Sequence, residues 1–147
     1  DEIFQIPLVG WNMALNQYIR LKQGRKTSVK QMYSACGKHL KRGSSVYLFP
    51  EGTRSRNGKL GVFKEGAFIL AKRQRVAILP IVINGSKHAV PKNRLNFSGR
   101  SDVHVQVLDE IPVESYDETT VSELTQKVRE MIRSRVFEEQ VDETVRD

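Results

Sequence analysis

Residues 48–68 read LFPEGTRSRNGKLGVFKEGAF, from Leu48 to Phe68. The run SVYLF that leads into them is β-branched and aromatic and stops at Pro50, the pattern of a buried strand. Glu51, Arg54, Arg56, Lys59, Lys64 and Glu65 follow at once, and KEGAFILAKR then reads as a helix starting near Lys64. Strand, charged loop and helix in that order predict an α/β unit. In open α/β sheets the loop leaving the carboxyl end of a strand is where ligands bind.

Upstream, Ser28 to Leu40 places Val29, Met32, Tyr33, Cys36 and Leu40 on one helical face, with Thr27 or Ser28 as the expected N-cap and Gly43 as the stop. Gln17 to Lys22 (QYIRLK) alternates well enough for a short strand. Downstream, Val76 to Gly85 predicts a second buried strand, in which Pro80 implies an edge or a bulge. Val103 to Leu108 alternates strictly, as a half-exposed strand does. Thr120 to Glu123 is a capping box before a helix whose stripe is Val121, Leu124, Val128, Met131 and Ile132. Strands alternating with helices predict an α/β fold, a mostly parallel sheet flanked by helices.

The chain of 147 residues is one domain's length, or part of a larger one, and 39% hydrophobic residues can build a core. Net charge is +7, unevenly spread: residues 1–108 hold nineteen Lys/Arg against five Asp/Glu, and residues 109–147 hold five against twelve. Charge alone is met by an ordinary solvated basic surface; phosphate, phospholipid and nucleic acid are the functional alternatives. The single cysteine, Cys36, excludes an internal disulfide, suits a reducing compartment and sits in a packing stripe. No run reaches the ~18 to 20 apolar residues of a membrane span. Ile3 to Leu15, broken by Pro7 and Gly10, reads as a buried or membrane-surface segment. An opening on Asp1 with no initiator Met leads to the expectation of a fragment or a processed product.

The loop itself is suited to an anion. Gly52 permits close backbone approach, Arg54 and Arg56 offer planar forks, Lys64 a point charge and Thr53 a hydroxyl donor. Glu51 is consistent either with a hydroxyl-bearing ligand or with an internal ion pair to Arg54 or Arg56. A nucleotide P-loop is excluded: five residues separate Gly52 from Gly58 where four are needed, and Leu60 stands where Ser or Thr would bind the metal.

Phe49-Pro50-Glu51-Gly52-Thr53-Arg54-Ser55, then Phe63-Lys64 and Gly66-Ala67-Phe68, then Ile78-Leu79-Pro80-Ile81, resembles the 1-acyl-glycerol-3-phosphate acyltransferase family. Ile6 to Trp11 looks like that family's IPFFG-type segment and Tyr18 to Arg25 like its second block, with Leu21-Lys22 in place of an aspartate-arginine pair. The resemblance implies a glycerolipid acyltransferase-like fold, with residues 1–147 the C-terminal larger part of a single acyltransferase domain. It implies an acceptor-phosphate site of Lys22, Arg25, Glu51, Gly52, Thr53, Arg54 and Lys64. It implies acyl transfer from acyl-CoA or acyl-carrier protein, a co-substrate and no resident cofactor, to lysophosphatidic acid, at the anionic cytoplasmic face of a membrane.

The family's catalytic block, His-x4-Asp with the histidine as general base, is expected N-terminal to these residues. The resemblance then implies that no catalytic residue is expected in this chain and that alone it is expected to transfer no acyl group. His104 and Asp109 also spell His-x4-Asp, but an offset of five on a strand sends them to opposite faces. His104 is expected on a strand surface, His39 at a helix C-terminus and His88 in a solvated loop, and no cluster has metal-ligand spacing. The competing reading is a non-catalytic basic module binding lipid or nucleic acid. Phe49, Phe63 and Phe68 suit core packing instead of a stacking platform, which argues against nucleic acid.

Overall fold

A computed structural model describes residues 7–19, 26–53, 55, 59–86 and 102–137. They fall into two compact units, residues 1–48 and 49–147. The first contains α1 (Val9–Leu15) and α2 (Lys26–Lys41). The second contains α3 (Gly66–Gln74), β1 (Ile81–Asn84), β2 (His104–Val107), a 3-10 turn (Val113–Ser115) and α4 (Val121–Arg133).

In the first unit the strand expected over Gln17–Lys22 does not form at its described end. Gln17 has φ 58°, its N–H donates to Ala14 O, and the Tyr18 N–H donates to Met13 O. Those two bonds close α1 with a Schellman turn, so the backbone that would pair with a sheet is spent on orphan carbonyls. Residues 20–25 lie outside the described set. The second helix starts at Lys26, so Thr27 and Ser28 occupy its first turn and neither is the N-cap; it ends at Gly43, φ 81°, as expected. Along its stripe Cys36 is buried and Val29 is exposed. Burial pushes the Cys36 thiol up, against the pull of a backbone hydrogen bond, which keeps it in the unreactive form.

The second unit is α/β, but its described sheet is a two-stranded antiparallel one, not a parallel one. Ile81 pairs with Val107 and Asn84 with His104, while Ile78 bridges Ile111. Between them Leu79 and Pro80 oppose Leu108, Asp109 and Glu110, a bulge of the kind Pro80 implied. Pro80 offers no N–H, and its carbonyl accepts from the Leu108 N–H. The SVYLF stretch forms no described ladder, and Tyr47, Leu48 and Phe49 are exposed. All four residues of β2 are exposed, so the half-buried alternation expected there is not realised.

The core lies between α3, α4 and the segments flanking them. Phe63, Phe68, Ile111, Tyr116, Leu124 and Val128 are buried together, with Val121, Met131 and Ile132 packed at the edge. The predicted stripe of the last helix is therefore its buried face. Thr120 caps it as foreseen: its hydroxyl accepts from the Glu123 N–H, and the Glu123 carboxylate accepts from the Thr120 N–H at 2.7 Å. Phe63 stacks on Phe68 with centroids 6.4 Å apart, which anchors the chain where the charged loop returns to α3.

Candidate functional site

The charged loop is closed at its neck by backbone. The Gly52 N–H donates to Phe49 O, a tight turn across Pro50 and Glu51, and the Lys64 N–H donates to Pro50 O at 2.8 Å. Gly52 has φ 66°, which glycine adopts at little cost. A Cβ there would sit 2.8 Å from Lys64 Nζ, so the ammonium rests on bare backbone. Lys64 itself is exposed, and so is Thr53. The turn thus lays an exposed ammonium over Gly52, next in sequence to the exposed Thr53.

Glu51 has a partner the sequence did not suggest. Its Oε2 accepts from the Gly61 N–H at 2.8 Å, and a Cβ on Gly61 would lie 2.7 Å from that oxygen. The Gly61 carbonyl in turn accepts from Arg129 Nε at 3.0 Å. Both peptide groups flanking the Gly61 α carbon are therefore tied, one to the motif's carboxylate and one to α4. A glycine between Leu60 and Val62 hints at close approach. Nothing in the sequence links it to a guanidinium 68 positions away.

Of the expected acceptor residues, Glu51, Gly52, Thr53 and Lys64 are brought together in this turn. Lys22, Arg25 and Arg54 lie outside the described residues, as do Arg56 and His88. His104 stands on β2 with its ring edge-on to Phe137, centroids 5.9 Å apart, the surface-strand position expected of it. His39 is in the last turn of α2 and lines an open hollow of about 450 Å³ with Ala14, Tyr18, Ile19, Met32 and Ala35. Among the described residues no His, Cys, Asp or Glu group could hold a metal, and no helix is long and apolar enough to cross a membrane.

The sequence pattern of the Acyltransferase family matches residues 1–84. The chain is 39% identical over 103 residues to the chloroplastic 1-acyl-sn-glycerol-3-phosphate acyltransferase of Arabidopsis thaliana, covering 70% of this chain and 29% of that protein. It is 31% identical over 134 residues to the 1-acyl-sn-glycerol-3-phosphate acyltransferase of Salmonella typhimurium, covering 90% and 54%. The crystal structure of the 1-acyl-sn-glycerophosphate acyltransferase from Thermotoga maritima superimposes with a TM-score of 0.72 at 26% identity, over 91% of this chain and 52% of that one. The chain thus spans between about a third and a half of the length of these relatives.

Proposed function

This chain belongs to the acyltransferase family, and from that premise we propose that it is the acceptor-holding part of a 1-acyl-glycerol-3-phosphate acyltransferase of phospholipid synthesis. Residues 1–147 are read as the C-terminal larger part of one acyltransferase domain. The observation that carries the reading is the turn in which Lys64 is laid over Gly52 beside Glu51 and Thr53. A phosphate approaching that backbone meets an ammonium and a hydroxyl, the donors a phosphomonoester needs. Arg54, Arg25 and Lys22 are proposed to complete the cradle.

In the reaction, the acceptor hydroxyl oxygen attacks the thioester carbonyl of acyl-CoA or acyl-carrier protein. The C–O bond forms, the C–S bond breaks, and the thiol leaves with the proton the hydroxyl gave up. These residues contribute position: a phosphate fixed at one end of the acceptor limits where the hydroxyl can lie. A basic chain with Trp11 exposed suits work at the anionic cytoplasmic face of a membrane. Trp11 is 68% exposed, and Leu8 and Leu15 beside it more so.

The test is transfer of labelled acyl groups to lysophosphatidate by the complete natural protein. Glu51→Ala and Lys64→Met are each expected to lower kcat/KM for lysophosphatidate by on the order of tenfold or more, as loss of a charge-assisted contact does. Rates within twofold of the unaltered protein, for both variants, would overturn the reading.

A further inference from the structure

We infer that Arg129, on the last helix and outside the segment that matches the family pattern, is a positioning residue for the acceptor loop. The inference rests on the reading of that loop given above. The path is continuous: Arg129 Nε donates to the Gly61 carbonyl at 3.0 Å, the Gly61 N–H donates to Glu51 Oε2 at 2.8 Å, and Glu51 adjoins the Gly52 on which Lys64 lies.

Geometry makes Arg129 the stiff end of this path. Val128 beside it is buried in the core, so α4 fixes where the guanidinium starts. The Arg129 side chain is 29% exposed, and its Nη1 lies 3.2 Å from Glu130 Oε1, which holds the far end of the planar group while Nε faces Gly61. On the other side Leu60 and Phe63 pack on the core, so Gly61 is fixed within a short segment whose neighbours are already anchored. A carboxylate needs such support: free Glu51 would sample several rotamers, and a bond from a fixed amide selects one. A Cβ at Gly61 would meet the oxygen at 2.7 Å, so any other residue there pushes the carboxylate off the amide.

A contact that merely staples α4 to the loop would change stability and nothing else. A positioning role changes what Glu51 does. In the complete protein, Arg129→Met is expected to raise KM for lysophosphatidate on the order of tenfold, the loss of one charge-assisted bond's worth of orientation, with KM for the acyl donor unchanged. Arg129→Lys, which still donates to a carbonyl, recovers most of it. Arg133→Gln, on the same helix but bonded to Glu130, leaves both constants unchanged.

The second arm needs no activity. In carbon-13 NMR spectra of the complete protein at one fixed pH, the Glu51 carboxyl resonance should move in Arg129→Met, although the guanidinium bonds to Gly61 and not to Glu51. That displacement supports the inference even if the complete protein proves inactive toward lysophosphatidate, an outcome that would overturn only the functional reading. An unmoved Glu51 carboxyl resonance in Arg129→Met, or an unchanged acceptor KM in an active protein, overturns the inference. If Arg129→Met does not fold, Gly61→Ala decides. It pushes the carboxylate aside without touching the guanidinium, and must raise the acceptor KM or displace the Glu51 carboxyl resonance; if it does neither, the inference is overturned.

Discussion

Lys64 and Lys72 stand eight residues apart, at the two ends of α3's approach, and are used in opposite ways. Lys72 donates all its protons inward, to the carbonyls of Tyr116, Asp117 and Thr119 at 2.8, 2.9 and 2.6 Å, with its ammonium 5.7 Å from the Tyr116 ring centroid. It stitches the turn before α4 to α3. Lys64 is exposed and lies on the Gly52 backbone, in a loop closed by two backbone bonds and one carboxylate. On the function proposed, the difference separates scaffold from site: a cation that satisfies three carbonyls is a structural part, and one held over bare glycine would keep its charge for a ligand.

The comparison breaks most sharply by exchanging each lysine for methionine. Lys72→Met removes a charged donor from three carbonyls, of which that of Tyr116 keeps the Thr119 N–H and hydroxyl, and is expected to cost about 2 to 3 kcal/mol in urea unfolding. Lys64→Met is expected to leave the unfolding midpoint nearly unchanged while weakening lysophosphatidate binding. Equal losses of stability would dissolve the distinction. The region around Lys72 has a further tie in Tyr116, whose hydroxyl donates to the Val76 carbonyl. Burial, then the negative charge of Asp117, pushes that phenol up, against the pull of Arg75.

A smaller effect sharpens the view of the loop. Gly52→Ala forces a side chain into the left-handed region at φ 66° and against Lys64, with about 1 to 2 kcal/mol of strain expected. Because the ammonium must shift, acceptor affinity should fall by more than the lost stability explains. Comparing the melting temperature with lysophosphatidate titration on the same sample checks this. A variant that melts lower yet binds as before would mean the Lys64 position carries no binding.

What could be read beforehand divides along the same line. The capping box at Thr120, the stripe from Val121 to Ile132 and the stop at Gly43 are local, encoded within a few residues by period and turn chemistry. The anion chemistry proposed for the loop rests on residue types read in the same local way. Illegible were the contacts that cross the chain: Lys72 to Tyr116, Arg129 to Gly61, and Asn84, whose amide donates to Arg135 O and accepts from the Phe137 N–H. The antiparallel direction of the one described pair was not legible either, because alternation along Val103–Leu108 reports a strand and not which way its neighbour runs. The strand expected over Gln17–Lys22 does not form at Gln17 and Tyr18, which helix termination claims.

The smallest expected effect lies in the scaffold and depends on pH. Bonds from the Thr120 backbone N–H, then from its hydroxyl, hold the Glu123 carboxyl below its usual range. A carboxylate depressed in the folded state stabilises it at pH values above the unfolded pKa, about 4.3 for Glu. That contribution fades as pH falls through the lower folded value. Glu123→Gln should therefore lower the melting temperature slightly at pH 7, by an amount that shrinks as pH falls through the depressed folded value. The loop should not take part, since the capping box and the Glu51 turn share no bond. If Glu123→Gln altered the Gly61 amide as well, scaffold and site would be coupled through α4, and Arg129 would be the residue on that helix through which the coupling reaches the loop.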